Sequence, residues 1–438
     1  MITSAELRAR IGQGRVHRSL YNDPEIFALE LERIFARAWI YVGHESQVPE
    51  PGDFCQTRIG LKPMLMVRQA DRSIRVLHNQ CAHRGAMVVA ADEGHAQEFR
   101  CCYHGWTYGT DGRLKSAPLL NGYPGAFDPA DPRVSMNEAR SASYRGFVFA
   151  TLAPDGPSLE DFLGPMTKSF DDMVDRAPDG AIEVAGGVFK HAYEGNWKLY
   201  LENLCDAAHP IFVHQSSIEA ARAQSDNVPS DGAGEIAIRQ MRQNGAPYSF
   251  WETQVGIWTY GNGHSYLGDY HDDAKLVAAL EDPDFRDYIA ALEAKHGSAR
   301  TKEILDVRRW NSNVYPNLSF MSQFQQLRVV HPLSPTRTVV YTYNFRLKGA
   351  PPSFFRRTIA FANTVNGTGS LVLTDDLETY NRIRMGLSSA GAEWLQIGRG
   401  YATDEANEDG GRRGKNSTSE IYIRNMFDAW LGYMTAVP

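Results

Sequence analysis

Two short segments, each carrying a cysteine and a histidine, constrain this chain more than any other feature of its sequence. The first reads CAH at residues 81–83, and after 17 intervening residues the second reads CCYH at residues 101–104. A [2Fe–2S] centre in which two cysteines bind one iron and two histidines bind the other needs two thiolates and two imidazoles. The sequence therefore predicts four cluster ligands: Cys81, His83, Cys101 and His104.

A structural zinc site is the alternative for the same four side chains. Zinc ligands usually occur as C-x2–4-C and H-x3–5-H, so two halves that each mix cysteine with histidine fit zinc poorly. The C-x2-H spacing to His104 selects Cys101 as the ligand, and we expect Cys102 to be a small buried thiol. Gly85 and Gly105 would permit tight turns, and Trp106 would shield the cluster from water.

A second group of polar residues lies in the segment 203–214, NLCDAAHPIFVH. Two neutral histidines and one carboxylate can bind a mononuclear iron and leave positions open for dioxygen. On an ideal helix His209 and His214 would lie about 140° apart, too wide to share one ion without a distortion. Pro210, which lacks a backbone donor, could supply that break. Spacing alone supports this pair only weakly, since isolated histidines are more often surface or packing residues.

The wider segments resemble a known family, the Rieske non-haem iron oxygenases that hydroxylate aromatic rings. CAHRGA at 81–86 and CCYHGWTYGTDGRL at 101–114 resemble the two cluster loops of its Rieske domain. NWKLYLENLCDAAHPIFVH at 196–214 is similar to the family signature N-x2-D-x2-H-x4-H, and VNGTGSLVLTDDLETYNRI at 365–383 resembles its segment ending in two aspartates. The resemblance extends from about residue 30 to about residue 400.

This resemblance implies roles for further residues. It implies that His209, His214 and Asp376 bind the mononuclear iron, with Asp375 or Glu378 as alternatives to Asp376. It also implies that Asp206 bridges to a cluster histidine, by motif His104, of a neighbouring subunit, where a shared carboxylate would fix both imidazoles. Asn203 would lie beside the iron, and Ala208 replaces an aromatic residue common in the family.

The fold expected from these patterns is α+β. Residues 53–155 contain short β segments separated by turns, which indicates a small all-β Rieske domain. The resemblance implies a larger α+β catalytic domain, built on an antiparallel sheet with helices. We predict a helical N-terminal segment at 1–39, the Rieske domain at 40–155 and the catalytic domain at 156–438, with loops at 215–236 and 403–419.

Composition excludes several other classes of protein. A net charge of −7 argues against nucleic acid as the main partner. No apolar run approaches the 18 residues of a membrane span, the N-terminus lacks a secretory signal, and five cysteines do not form a disulfide scaffold, so a cytoplasmic location is expected. No G-x-G-x-x-G follows a predicted strand, so we expect electrons from an external NAD(P)H-dependent reductase, directly or through a ferredoxin.

The predicted function is that of the terminal oxygenase component of such a system. We expect cis-dihydroxylation of an aromatic acid or aromatic hydrocarbon; a monooxygenase that hydroxylates or demethylates is the nearest alternative, and an electron carrier or a zinc hydrolase is more remote. The family implies a trimer, either α3β3 with a small beta subunit or α3. Expected pocket residues are Leu204, Phe212 and Leu371, with His264, Arg239 or Arg242 as possible contacts for a carboxylate.

Overall fold

The computed structural model describes residues 2–125, 127–224, 233–270, 283–367, 369–370, 372–389 and 391–436. The chain divides into two compact units. One comprises Leu31–Leu159, and the other combines Met1–Glu30 with Glu160–Pro438. The first is all-β apart from short helical turns, and the second is built on an antiparallel sheet with helices, so the predicted α+β class is confirmed.

The N-terminal segment of the second unit is less helical than its sequence suggested. Its elements are α1 (Ser4–Arg8), β1 (Ile11–Gly12), β2 (Arg15–His17), α2 (Ser19–Asn22) and α3 (Pro24–Glu30). Continuous helix is wrong for residues 11–17, which form an antiparallel pair. Gly14, with φ of +66°, supplies the turn, because glycine adopts this conformation without a steric penalty.

The Leu31–Leu159 unit begins with a turn of π-helix at Leu31–Phe35 and continues as short strands: β3 (Ile40–His44), β4 (Asp53–Ile59), β5 (Lys62–Arg68), β6 (Ile74–His78), β7 (Glu93–His95), β8 (Glu98–Arg100), β9 (Thr107–Gly109), β10 (Leu114–Ser116), β11 (Glu138–Tyr144) and β12 (Phe147–Thr151). Seven form an antiparallel sheet in the order β3-β12-β11-β6-β5-β4-β7, and three form a second sheet, β10-β9-β8. One predicted ligand loop follows β6 and the other joins β8 to β9.

The remaining strands of the second unit are β13 (Ile182–Tyr193), β14 (Gly256–Thr259), β15 (Ser265–Tyr270), β16 (Val307–Val314), β17 (Leu318–Met321), β18 (Gln326–Ser334), β19 (Arg337–Leu347), β20 (Trp394–Gln396), β21 (Glu405–Ala406) and β22 (Arg412–Arg413). Nine form one antiparallel sheet in the order β13-β19-β18-β17-β16-β15-β14-β22-β21, while β20 pairs with β2. Along most of β19 the side chains alternate between buried and partly exposed, as expected for a strand with one covered face.

The helices of this unit follow in chain order: α4 (Leu159–Leu163), α5 (Thr167–Val174), α6 (Trp197–Leu204), α7 (Pro210–Val213), α8 (Gln215–Ala223), α9 (Ala233–Asn244), α10 (Tyr248–Thr253), α11 (Pro283–His296), α12 (Ser298–Leu305), α13 (Pro352–Asn366), α14 (Leu373–Ser388) and α15 (Ile421–Thr435). The prediction of a loop at 215–236 is wrong for residues 215–223, which form α8, and for residues 233–236, which begin α9. The other predicted loop, 403–419, contains β21 and β22. None of the described helices is both apolar enough and long enough to span a bilayer.

A buried carboxylate connects three separate helices of the second unit. Glu30, the last residue of α3, is completely buried and accepts hydrogen bonds from Lys198 Nζ at 2.5 Å and Trp197 Nε1 at 2.8 Å, both on α6. Trp430 Nε1 of α15 donates to the same carboxylate at 2.7 Å. Because α6 leads directly into the segment of the predicted iron ligands, this network holds the base of that segment in place.

Candidate metal centres

The two predicted cluster loops have the same backbone construction. In the first, Cys81 N donates to Ala86 O at 2.8 Å and Gly85 N donates back to Cys81 O at 2.9 Å. The second loop repeats both hydrogen bonds: Cys101 N donates to Trp106 O at 2.8 Å, and Gly105 N donates to Cys101 O at 3.1 Å. Both glycines have φ near +70°, so the predicted tight turns are confirmed. Each loop thereby presents one cysteine and one histidine from a closed turn.

The four predicted cluster ligands differ in exposure. Cys81 and Cys101 are buried, whereas His104 is exposed and His83 is partly buried, with its Nδ1 lacking a hydrogen-bond partner. The two imidazole rings lie 4.5 Å apart between centroids. Two inner thiols, two outer imidazoles and an orphaned ring nitrogen suit a [2Fe–2S] cluster with its histidine-bound iron toward the surface.

One cluster thiol has a hydroxyl group within hydrogen-bond distance. Tyr108 Oη lies 3.2 Å from Cys81 Sγ and accepts a hydrogen bond from Ala82 N. Trp106 is buried and stacks on His83, with ring centroids 5.1 Å apart, in agreement with its predicted shielding role. The prediction that Cys102 is buried is wrong. It is exposed, because the residue after Cys101 lies on the outer side of the turn.

The predicted iron segment breaks its helix where the histidine spacing requires it. Helix α6 ends at Leu204, and α7 begins at Pro210. Proline is favoured at the first position of a helix, where its missing N–H costs no hydrogen bond. His209 precedes this four-residue turn and His214 follows it. The break brings the two imidazole rings to 5.5 Å between centroids, which a continuous helix would not allow.

Helix α14 carries the third side chain of the group. Asp376 Oδ1 lies 3.5 Å from His214 Nε2 and 3.8 Å from His209 Nε2. One potential ligand atom from each of these three residues falls within 4.8 Å of the others, and no other such group occurs in the described part of the chain. Asp375 instead faces His214 Nδ1 at 3.5 Å, while Glu378 is exposed and pairs with Arg382.

Burial sets the protonation states that a metal would need. Burial, and secondarily the nearby His209, lower the pKa of His214 to about 3, so its imidazole is neutral. Burial raises the pKa of Asp376 to about 6, with His209 opposing the rise. Nδ1 of both histidines is buried without a hydrogen-bond partner. Two histidines and one carboxylate are the donor set that non-haem iron prefers, so the residues fit the ion.

Two further predicted residues contact this group. Asn203 Nδ2 lies 3.2 Å from His209 Nε2 and donates to Asp376 Oδ1 at 3.1 Å, so its amide is beside the metal position. Asp206 Oδ2 lies 3.8 Å from His209 Nδ1, and its Oδ1 accepts from Ala208 N at 2.7 Å. The side chain of Asp206 is 25% exposed, so this carboxylate contacts both the histidine and solvent.

A cavity of about 110 Å³ opens onto the three ligands. Its wall contains aromatic and aliphatic side chains, including the stacked rings of Trp251 and Trp310, whose centroids lie 5.6 Å apart. Polar residues missed in the sequence also line it: Gln240, Asn244, Asn311, Arg328 and Asn366. Their strands and helices are remote in sequence, so no local pattern signals that they converge.

Several predicted pocket residues lie elsewhere. Leu204 lines the cavity, but Phe212 is 71% exposed and points away, and Leu371 falls outside the described residues. His264 is also wrong as a carboxylate contact, because it is buried between Phe162 O, 2.9 Å from its Nε2, and Tyr315 N, which donates to its Nδ1.

The two predicted arginine contacts do not belong to the cavity either. Arg239 and Arg242 are exposed residues of α9, whereas the neighbouring Gln240 and Met241 form part of the wall. The side of the helix that faces the cavity therefore lies between the two arginines.

Comparisons with known proteins match both domains of the chain. Residues 38–126 match the Rieske [2Fe–2S] domain, and residues 180–435 match the catalytic domain of the ring hydroxylating alpha subunit. Toluate 1,2-dioxygenase subunit alpha of Pseudomonas putida is 34% identical over 88% of this chain and 81% of its own length. The anthranilate 1,2-dioxygenase large subunit of Acinetobacter baylyi is 33% identical over 90% of this chain and 82% of its own.

A solved structure extends the agreement to the fold. Naphthalene 1,2-dioxygenase from Rhodococcus sp., bound to indole, superposes with a TM-score of 0.78 at 26% identity, covering 96% of this chain and 94% of that one. Two family models, relatives matched over most of their length and a shared fold support one assignment. The chain belongs to the alpha subunits of the ring-hydroxylating dioxygenases, with a Rieske [2Fe–2S] domain followed by a catalytic domain, and is a terminal oxygenase.

Proposed function

We propose that this chain adds both atoms of dioxygen to a single-ring aromatic substrate in the cavity beside His209, His214 and Asp376. The observation that carries the proposal is the convergence of these three potential ligands within 4.8 Å on one wall of a largely apolar cavity. When bound, a mononuclear iron would supply the site for dioxygen and a Rieske cluster would supply electrons one at a time. Addition of O2 to form a cis-diol consumes two electrons and two protons.

The size of the cavity favours one aromatic ring over fused or linked rings. It measures about 110 Å³, and since an engineered cavity of about 150 Å³ holds one benzene ring, fused or linked rings would exceed the space available here. The stacked indoles and Phe361 offer flat apolar surfaces to a ring. Toluate and anthranilate, after which the two relatives are named, are single-ring molecules.

The remaining site residues have positioning roles in this proposal. Asn203 donates to Asp376 and so orients that carboxylate toward the histidines. Asp206 lies beside His209 Nδ1 and is partly exposed, which suits a carboxylate that also reaches an imidazole of another subunit. Cys81 and Cys101 would hold the inner iron of the cluster, and His83 and His104 the outer one.

Electron transfer between subunits is consistent with the exposed edge of the Rieske unit. His104 is exposed there, and the neighbouring Tyr103 is 58% exposed with its ring 3.8 Å from the His104 ring. We propose a trimer in which this edge meets Asp206 of a neighbouring copy, with or without a beta subunit. A ferredoxin or reductase would deliver electrons from NAD(P)H, and the unpaired cysteines suit a reducing, cytoplasmic compartment.

Isotope labelling of the product tests this proposal. Anaerobically purified, iron-loaded protein would be given a surrogate reductase and ferredoxin, benzoate or toluene, and 18O2. A product that carries two labelled oxygen atoms supports dihydroxylation, whereas one labelled atom would identify a monooxygenase. We expect Asp376→Asn to abolish turnover and Glu378→Gln, its exposed neighbour on α14, to retain it; equal activity of both variants would contradict the assignment of Asp376.

A further inference from the structure

A charged side chain that no sequence pattern singled out lines the cavity. Arg328 lies in β18, opposite Ser319 of β17, on a strand whose residues are mostly buried. Its side chain is almost completely buried, with 3% of the residue exposed, yet it forms part of the cavity wall together with Asn311 and Tyr200.

The hydrogen bonds of Arg328 use only part of its guanidinium. Nη2 donates to Asn311 Oδ1 at 2.7 Å and makes a longer contact of 3.4 Å with Ser319 Oγ. Nε is buried without a partner, and both hydrogen bonds of Arg328 to described residues come from Nη2, none from Nη1. Nη2 therefore holds the guanidinium against β16 and β17, while Nε and Nη1 keep N–H donors that are not used in hydrogen bonds to the described part of the chain.

No carboxylate within the described ranges compensates the charge of Arg328. The groups that act on it electrostatically are the neutral Tyr200, Cys205 and Tyr380. The two acidic residues of the cavity wall are engaged elsewhere, Asp376 with Asn203 and Asp206 with the backbone of Ala208. Burial lowers the pKa of Arg328, but an arginine keeps its proton in proteins.

Burying a cation without a counter-ion is energetically unfavourable, and binding of an anion beside it removes that cost. The guanidinium is a planar group of five donors that matches a carboxylate, and Asn311 holds it in a defined orientation. We propose that Arg328 binds the carboxylate of the substrate, so that the cavity selects single-ring aromatic acids over neutral rings of the same size. This inference rests on the proposed function in one respect, that the cavity is the substrate site.

Calorimetric titration of the intact iron-loaded protein tests this inference without turnover. The probes are benzoate and benzamide, which have nearly the same shape but differ in charge. We expect wild-type protein to bind benzoate more tightly, and Arg328→Gln to raise the Kd for benzoate about 30-fold or more while leaving that for benzamide within about threefold. Arg328→Lys, which keeps the charge but loses the planar fork, should fall between them.

The matched control is Arg242→Gln, which removes an exposed arginine of α9 and should leave both Kd values unchanged. If Arg328 only joined strands, its replacement would lower the melting temperature without changing the ratio of benzoate to benzamide binding. Equal binding of the two probes by wild-type protein would overturn the inference even if the glutamine variant failed to fold.

Oxidation assays separate this inference from the proposed function. Turnover of toluene, which has no carboxylate, reports on oxygenase chemistry independently of Arg328. Loss of benzoate binding in Arg328→Gln supports the inference even if wild-type protein oxidises neither benzoate nor toluene. In that case only the proposed function fails. Oxidation of both benzoate and toluene with no dependence on Arg328 would overturn the inference and leave the proposed function intact.

Discussion

Replacement of Glu30 by glutamine is expected to destabilise the catalytic unit by about 3–5 kcal/mol. Glu30 is fully buried and is the only acid paired with Lys198, which is itself fully buried, within the described residues. The variant would leave the buried ammonium group without its paired carboxylate, and breaking a buried ion pair from one side costs about this much. Burial already lowers the pKa of Lys198, and Glu30 opposes that change.

Urea unfolding followed by circular dichroism measures the effect. The double variant Glu30→Gln, Lys198→Met should recover at least half of the lost free energy of unfolding, because neither charge then remains buried without its partner. Glu25→Gln, an exposed acid of the same helix, is the control and should change stability by less than about 0.5 kcal/mol. A loss below about 1 kcal/mol for Glu30→Gln, or further destabilisation in the double variant, would refute the reasoning.

Three further predictions concern the metal loops and Glu202, a partly buried acid of α6. Burial raises the pKa of Glu202 to about 7, so the folded chain retains a proton that the unfolded chain releases near pH 4.5, and stability falls as pH rises between these values. Glu202→Gln still accepts the hydrogen bond from Tyr21 and should remove up to about 3 kcal/mol of that loss of stability. Urea midpoints of the wild type and the variant at pH 5 and pH 8 measure the difference, and identical pH dependence of the two proteins would contradict the prediction. Tyr108→Phe removes a hydroxyl 3.2 Å from Cys81 Sγ and should lower the cluster potential by tens of millivolts in a redox titration, since about 59 mV corresponds to a tenfold change for one electron; an unchanged potential would exclude the hydrogen bond. Cys102→Ser should retain full cluster content by sulfide assay, because the thiol points to solvent, and cluster loss would show that it is a ligand.

The family resemblance assigned the ligands of the mononuclear site, whereas local sequence spacing predicted the backbone turns and the helix break that hold the ligands of both sites. The cluster loops required only short turns, and the positive φ of Gly85 and Gly105 follows from those turns. The break before Pro210 followed from the incompatibility of a five-residue histidine spacing with one helical face. In each case the constraint acts within a dozen residues, where steric rules decide the backbone.

The cavity could not be predicted in the same way, because its wall is formed by residues far apart in the chain. Arg328 lies in a run that reads as an ordinary buried strand, and only its pairing with β17 places it beside Asn311. His264 and Phe212 were assigned to the pocket from residue type, yet the tertiary packing buries the first away from the cavity and exposes the second. Which face of a strand or helix is covered depends on partners that local periodicity does not identify.

Metal and sulfide analysis with EPR on anaerobically purified protein tests the central claim most directly. The account predicts about three irons and two acid-labile sulfides per chain, with a reducible cluster signal. His214→Ala should lose about one iron and keep both sulfides, because it removes a ligand of the mononuclear site alone. A colourless protein that contains zinc and no sulfide, or a His214→Ala variant that loses sulfide together with iron, would contradict the two-site account.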